Sequence, residues 1–213
     1  MSRFVILIPS FNEYPSLKKI LNKIHKKYPI LVMNDCSSDR TKNLNTKFKK
    51  IFLCNNKKRL GYENNIKKGF KLLLKRKFEY IVTFDADGEH HINNLKNIEE
   101  IISKNPQYDM LIGERSYLNR FSEKIVSYLF YQKYNIKDPL SGLKIYKINS
   151  LKKLYKNINE GFFLVDLVNI FLKKKRKIKN FKIISVKIQQ RKSKVGSFAL
   201  ANFKVLKCLK FLF

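Results

Sequence analysis

The chain has 213 residues with no break in composition, enough to bury one substantial core and predicted to form a single α/β domain with a short C-terminal appendage. Lys and Arg number 46 against 16 Asp and Glu, a net charge of +30 that directs attention to phosphates, phospholipids or nucleic acid, although Lys spread over every segment is equally what general compositional drift produces. Cys36, Cys54 and Cys208 are too few, too distant and odd in number for a disulfide framework. The apolar run Phe4 to Ile8 is stopped by Pro9, so neither a signal-peptide core nor a membrane-crossing helix is expected, and the protein is placed in the cytoplasm.

In chain order, the first predicted strand is Phe4 to Ile8, followed by a helix with Leu17, Ile20, Leu21 and Ile24 on one face. Strands at Ile30 to Met33, Ile51 to Cys54, Tyr80 to Phe84 and Met110 to Ile112 alternate with helical patterns, one carrying Ile66, Phe70, Leu73 and Leu74. This alternation is that of a doubly wound, mostly parallel sheet with helices on both faces. Beyond Gly113 the order is a helix over Phe121 to Tyr134, a turn at Asp138 to Gly142, a strand over Leu143 to Ile148, a helix over Phe163 to Lys175 and a strand over Phe181 to Gln189. Residues 1–197 are thus read as the domain. The tail 198–213 interleaves Lys204, Lys207 and Lys210 with Leu200, Phe203, Leu206, Leu209 and Phe213, an amphipathic helix suited either to a bilayer surface or to capping the core.

The stretch Ile81 to His90 delivers Asp85, Asp87 and Glu89 to the end of a buried strand, where open α/β sheets bind ligands. Carboxylates this close repel one another by several kcal/mol at low dielectric unless a cation stands between them, which predicts a Mg²⁺ or Mn²⁺ site. An EF-hand is excluded because His90 and Lys96 occupy the positions that need Gly and Glu. Two further strand ends, Pro9-Ser10-Phe11-Asn12-Glu13 and Asn34 to Thr41, point at the same edge. Phe11, Glu13 and Asp35 offer an aromatic wall and acceptors for a base and ribose, so the edge reads as a nucleoside diphosphate site. No glycine-rich phosphate loop is present, leaving metal and basic side chains to neutralise the diphosphate.

These segments, with Leu60-Gly61-Tyr62 to Gly69, Gly113-Glu114-Arg115, Asp138 to Lys144 and Arg191 to Gly196, resemble family 2 glycosyltransferases of the GT-A fold, specifically the dolichol-phosphate mannose synthase and polyprenyl-phosphate glycosyltransferase group. The resemblance implies that Pro9, Phe11, Glu13 and Asp35 hold the nucleotide and that Asp85, Asp87 and Glu89 hold the metal, with Ala86 between them on the donor. It further implies that Arg115, Arg191 and Lys194 meet phosphates of donor or acceptor. Glu89 stands where such enzymes usually carry Gln, and Asn34 where many carry Asp. Arg120 is the best candidate for a second acceptor-phosphate arginine.

The reaction so implied is attack of an acceptor oxygen on the anomeric carbon of a GDP- or UDP-sugar, with inversion, at the inner face of a membrane. A polyprenyl or dolichyl phosphate acceptor is already ionised and needs no general base; a glycan hydroxyl needs one, for which Asp138 and Asp166 are the candidates. His90 is read as supporting the acids from behind, His91 as incidental. A haloacid-dehalogenase-type phosphatase shares the Asp-x-Asp-Gly pattern but requires Thr where Glu89 stands. A basic nucleic-acid-binding module would leave the clustered acids without a role.

Overall fold

The computed structural model describes residues 2–46, 48, 51–88, 90–154, 163–185, 205, 206 and 209. Among these residues seven strands, β1 (Phe4–Ser10), β2 (Ile30–Asn34), β3 (Ile51–Asn55), β4 (Tyr80–Thr83), β5 (Met110–Glu114), β6 (Lys144–Lys147) and β7 (Ile178–Lys182), form one sheet in the order β3-β2-β1-β4-β6-β5-β7. The helices are α1 (Tyr14–Ile24), α2 (Tyr62–Leu73), α3 (Ile98–Lys104), α4 (Phe121–Tyr134), α5 (Ile148–Leu154) and α6 (Phe163–Lys173). Four pairings are parallel, and β6 runs antiparallel between β4 and β5.

Alternation along β1 decides which helices cover which face. Phe4, Ile6 and Ile8 join a core with Leu17, Ile20, Leu21 and Ile24 of α1 and Ile98 and Ile102 of α3. Val5 and Leu7 join the opposite core with Ile66, Phe70 and Leu73 of α2, Val126 and Phe130 of α4 and Leu167, Val168 and Phe171 of α6. Both faces are therefore buried, which is why the central strands read as continuous apolar runs. Val205 and Leu209, within the tail, pack partly buried against this second core.

Two features differ from the expectations, and one adds to them. Within the expected mostly parallel sheet, β6 occupies the predicted place and runs antiparallel to both neighbours, a direction that side-chain alternation does not encode. The last strand among the described residues is Ile178–Lys182 rather than Phe181 to Gln189, of which 186–189 lie outside them; half-exposed at the end of the sheet order, it carries two Lys and an Asn and has little apolar signal. Helices α3 and α5, each of seven residues, are too short to show a helical period.

Gly69 of α2 allows the helix to approach the sheet: a methyl group there would meet Leu7 Cδ1 at 2.6 Å and Met33 Cγ at 2.9 Å. Gly69→Val is expected to lower stability by about 1–3 kcal/mol through overpacking, read as a lower denaturation midpoint at unchanged denaturant slope; an unchanged midpoint would show that α2 can move away without loss.

Candidate active site

Parallel β1, β2 and β4 end at one edge of the sheet, and the antiparallel β6 brings its N-terminal approach, Asp138 to Leu143, to the same edge. The ends of β1 and β2 are stitched together. Asp35 N–H donates to the Ser10 carbonyl at 2.9 Å, Asn12 N–H to Ser37 Oγ at 3.0 Å, and Ser38 N–H to Asn12 Oδ1 at 2.9 Å. Asn12 and Cys36 take left-handed backbone, φ 53° and 61°, so the chain reverses twice within this small space. Asp39 receives Tyr14 N–H at 2.9 Å and Thr41 N–H at 3.0 Å, tying the start of α1 to the loop after β2. Asn34 both donates to Asn55 Oδ1, at 2.7 Å, and accepts from Ser37 N–H, at 3.1 Å; a carboxylate at this position would have no proton for Asn55.

Asp35 is 3% exposed, and both of its oxygens are engaged. Oδ1 accepts from Leu60 N–H at 2.7 Å and Asn56 Nδ2 at 3.1 Å, and Oδ2 accepts from Gly61 N–H at 2.8 Å. Gly61, at φ 82°, stands just before α2. Asn65 of α2 then donates to the Met33 carbonyl at 2.8 Å and accepts from Asn56 at 2.8 Å. In consequence Asp35 fixes where α2 begins, a role in addition to the nucleotide contact expected of it.

Pro9 is buried within β1 opposite Met33. Phe11 is half-buried at the edge, and the guanidinium of Arg59 lies over its ring at 4.1 Å from the centroid, a cation–π contact. Glu13 is half-buried at the start of α1, where its carbonyl accepts from Leu17 N–H. Arg59 was not singled out from sequence; only its proximity in the chain to Leu60-Gly61 hinted at it.

Arg115 and Asp138 are brought together. Arg115 donates from Nε to Asp138 Oδ2 at 2.7 Å and from Nη2 to Oδ1 at 3.1 Å, a two-pronged pairing, and its Nη1 lies 3.7 Å from Glu123 Oε2. Asp138 is 1% exposed. The guanidinium expected on a phosphate and the acid considered as a base thus partner one another. Arg120, N-terminal to α4, lies 3.5 Å from Glu123 Oε1. Asp166 is buried on α6 among the core residues Leu164, Val165 and Leu167.

Asp85 and Asp87 differ from these sealed acids: both are half-buried, the Asp85 side chain retaining 18% exposure, while Ala86 between them is buried. Asp85 Oδ1 accepts from the Tyr62 hydroxyl at 2.8 Å, and Oδ2 lies 3.6 Å from His90 Nε2. A methyl group at Gly142 would overlap the Asp85 carboxylate, so only glycine leaves room for it. Tyr62 as a residue is 43% exposed, but its hydroxyl end is lodged among acids. Loss of water there, then the charges of Asp85, Glu63 and Asp87, hold its pKa well above the ordinary phenol range.

Beneath this group, Thr83 donates to the Gly142 carbonyl at 2.7 Å and accepts from Lys144 N–H at 3.1 Å. Lys144 is wholly buried, its ammonium donating to the Ser141 carbonyl. Burial lowers its pKa to about 8, against the opposing pull of Asp138 and Asp85. A cation inside the protein thus already offsets part of the acidic charge.

The donor set fits a divalent ion. Asp85 and Asp87 stand half-buried two residues apart just beyond the end of β4, and oxygen donors suit Mg²⁺ or Mn²⁺. His90 is 3% exposed with no hydrogen-bond partner for either ring nitrogen among the described residues, a buried polar group set against one of these acids. No group of three His, Cys, Asp or Glu side chains converges among the described residues; Glu89, Arg191 and Lys194 lie outside them. His91, by contrast, caps the short turn at 92–95 by accepting from Asn93 N–H at 3.2 Å.

Arg115→Met is expected to cost about 3–5 kcal/mol, since it leaves Asp138 charged and buried. The double change Arg115→Met/Asp138→Leu should recover most of that loss. Denaturation midpoints of the three proteins check this; equal loss in single and double variants would refute the pairing as a stabilising unit.

Residues 5–210 match the family described as Glycosyl transferase family 2. The protein MJ1222 of Methanocaldococcus jannaschii is 27% identical over 94% of this chain and 88% of its own length. A dolichyl-phosphate beta-glucosyltransferase of Trichomonas vaginalis is 24% identical over 96% of this chain and 72% of its own. The polyprenol monophosphomannose synthase of Mycolicibacterium smegmatis is 27% identical over 53% of this chain and 45% of its own. Among solved structures, glucosyl-3-phosphoglycerate synthase of Mycobacterium tuberculosis, in complex with Mn²⁺, UDP and phosphoglyceric acid, superposes with a TM-score of 0.73 at 12% identity. That match covers 99% of this chain and 78% of that one, and it shows the same GT-A fold.

Proposed function

The chain belongs to glycosyl transferase family 2, and we propose that it transfers a sugar from a nucleoside diphosphate donor to a polyprenyl or dolichyl phosphate, with inversion and with a divalent ion at Asp85 and Asp87. The observation that carries this reading is the contrast at the strand edge: Asp35 and Asp138 are sealed by internal partners, whereas Asp85 and Asp87 remain half-buried at the edge where the neighbouring β1 delivers the Phe11 ring. The names of two relatives, a dolichyl-phosphate glucosyltransferase and a polyprenol monophosphomannose synthase, support the acceptor class. The Mn²⁺ and UDP of the structural neighbour support the metal and a uridine donor, with a GDP-sugar as the other donor to test.

In this scheme Phe11, two residues beyond Pro9, and Glu13 receive the base and ribose, while Asp35, its oxygens already engaged by Asn56, Leu60 and Gly61, fixes the start of α2 beside them. Asp85, Asp87 and Glu89 would hold Mg²⁺ or Mn²⁺, which when bound supplies positive charge opposite the diphosphate oxygens. Arg191 and Lys194 are assigned to the donor or acceptor phosphates. The acceptor phosphate oxygen forms the new bond to the anomeric carbon from the face opposite the diphosphate, and the electron pair of the broken bond leaves with the nucleoside diphosphate. No proton has to be removed, because the attacking oxygen is already ionised. Transfer to a glycan hydroxyl would require a base, and the burial of Asp138 under Arg115 and of Asp166 within α6 favours the phosphate acceptor.

We place the protein peripherally at the cytoplasmic face of a membrane. No helix among the described residues is long and apolar enough to cross one. The support is α4, which starts six residues after Arg115 and exposes Phe121, Tyr128 and Tyr131 beside Lys124, an aromatic and cationic face suited to the headgroup region. The tail 198–213, mostly outside the described residues, is the second candidate.

Two outcomes are expected. Asp87→Ala abolishes metal-stimulated release of nucleoside diphosphate, and a screen of UDP- and GDP-sugars with and without Mn²⁺ raises the melting temperature of the wild type only for the true donor; full activity in the variant would remove the metal from the mechanism. Because the chain contains no tryptophan, Tyr128→Trp is a single reporter on α4. Its emission should shift to shorter wavelength with anionic vesicles, and an unchanged spectrum with bound vesicles would assign attachment to another surface.

A further inference from the structure

We infer that Tyr62 and His90 are positioning residues that grip the Asp85 carboxylate from both sides and present it to the divalent ion. The inference rests on the metal assignment made above and deepens it. Neither residue is a ligand in that assignment, whose oxygen donors are the acids themselves.

The geometry has three parts. On one side the Tyr62 hydroxyl donates to Asp85 Oδ1 at 2.8 Å. On the other, His90 Nε2 stands 3.6 Å from Oδ2, beyond a formed hydrogen bond but with no other partner for either nitrogen among the described residues. His90 is kept there by its tilt against Phe84, with ring centroids 5.6 Å apart, and by pairing of its backbone with Ser185. Between them the carboxylate lies in the space that Gly142 leaves by having no side chain.

Tyr62 is in turn located by a separate acid. It is the first residue of α2, and the two preceding N–H groups, of Leu60 and Gly61, are bound by Asp35. The buried end of β2 is thereby linked through the α2 start to the end of β4. A phenol of ordinary acidity, pKa about 10, is protonated at neutral pH, so the hydroxyl remains a donor rather than a competing anion. A carboxylate free to rotate would lose side-chain freedom when the ion binds; one already held loses less, and groups that orient ligands in this way typically govern metal affinity by about 10–100-fold.

The test measures Mn²⁺ binding rather than turnover: the free-ion electron paramagnetic resonance signal is titrated with wild type, Tyr62→Phe, His90→Leu and His90→Gln, each without nucleotide. Melting temperatures in chelator are recorded alongside. Expected are a dissociation constant at least about tenfold higher in Tyr62→Phe, with the chelator melting temperature unchanged, a similar loss in His90→Leu, and wild-type affinity in His90→Gln, whose amide nitrogen can stand where Nε2 does. Wild-type affinity in Tyr62→Phe overturns the grip while leaving the metal assignment intact. A wild-type protein that leaves the free Mn²⁺ signal untouched overturns both.

Discussion

A carboxylate taken out of water must be met by donors or by positive charge, and this constraint organises the whole ligand edge of the sheet. The chain is strongly cationic overall, yet it concentrates acids at one line of strand ends and answers each differently. Backbone N–H groups answer Asp35, a guanidinium answers Asp138, and Asp85 receives a phenol. The buried ammonium of Lys144 lies beneath them. The first two solutions close the acid off and turn it into scaffold, while the third leaves it half-buried at the surface.

Scaffold and site are therefore continuous. Asp35 sets the start of α2, α2 carries Tyr62, and Tyr62 reaches Asp85 just beyond β4. Packing enforces the same chain of dependence, because Gly69 lets α2 lie against Leu7 and Met33, and a helix displaced from the sheet would withdraw Tyr62 as well. On the other side, the antiparallel β6 brings Gly142 against Asp85 and joins Thr83 to Lys144. Charge fixed in place before a ligand arrives costs no reorganisation at the moment of reaction.

The sealed acids also bear on the kind of acceptor. A site built for hydroxyl acceptors keeps a base within reach of the incoming proton; here Asp138 is occupied by Arg115 and Asp166 is buried on α6. An acceptor that arrives already ionised makes no such demand. An exposed aromatic and lysine face on α4, close in sequence to the edge that holds Arg115, is in keeping with a substrate whose hydrophobic part stays in a bilayer.

Much of this was legible in the amino-acid order. The apolar runs at Phe4, Ile30, Tyr80 and Met110, the helical faces of α1, α2 and α4, and the acids at the end of β4 are local patterns, because a strand buried on both faces and a helix buried on one impose fixed periods on their own residues. What the order of residues alone did not determine is which partner each polar group takes. Arg115 and Asp138 are 23 residues apart and Tyr62 and Asp85 likewise 23, while Thr83 and Gly142 are 59 apart. Sheet closure decided those pairings, along with the reversed direction of β6 and the burial of Lys144, because periodicity reports which side of an element is dry and carries no information about what stands across from it.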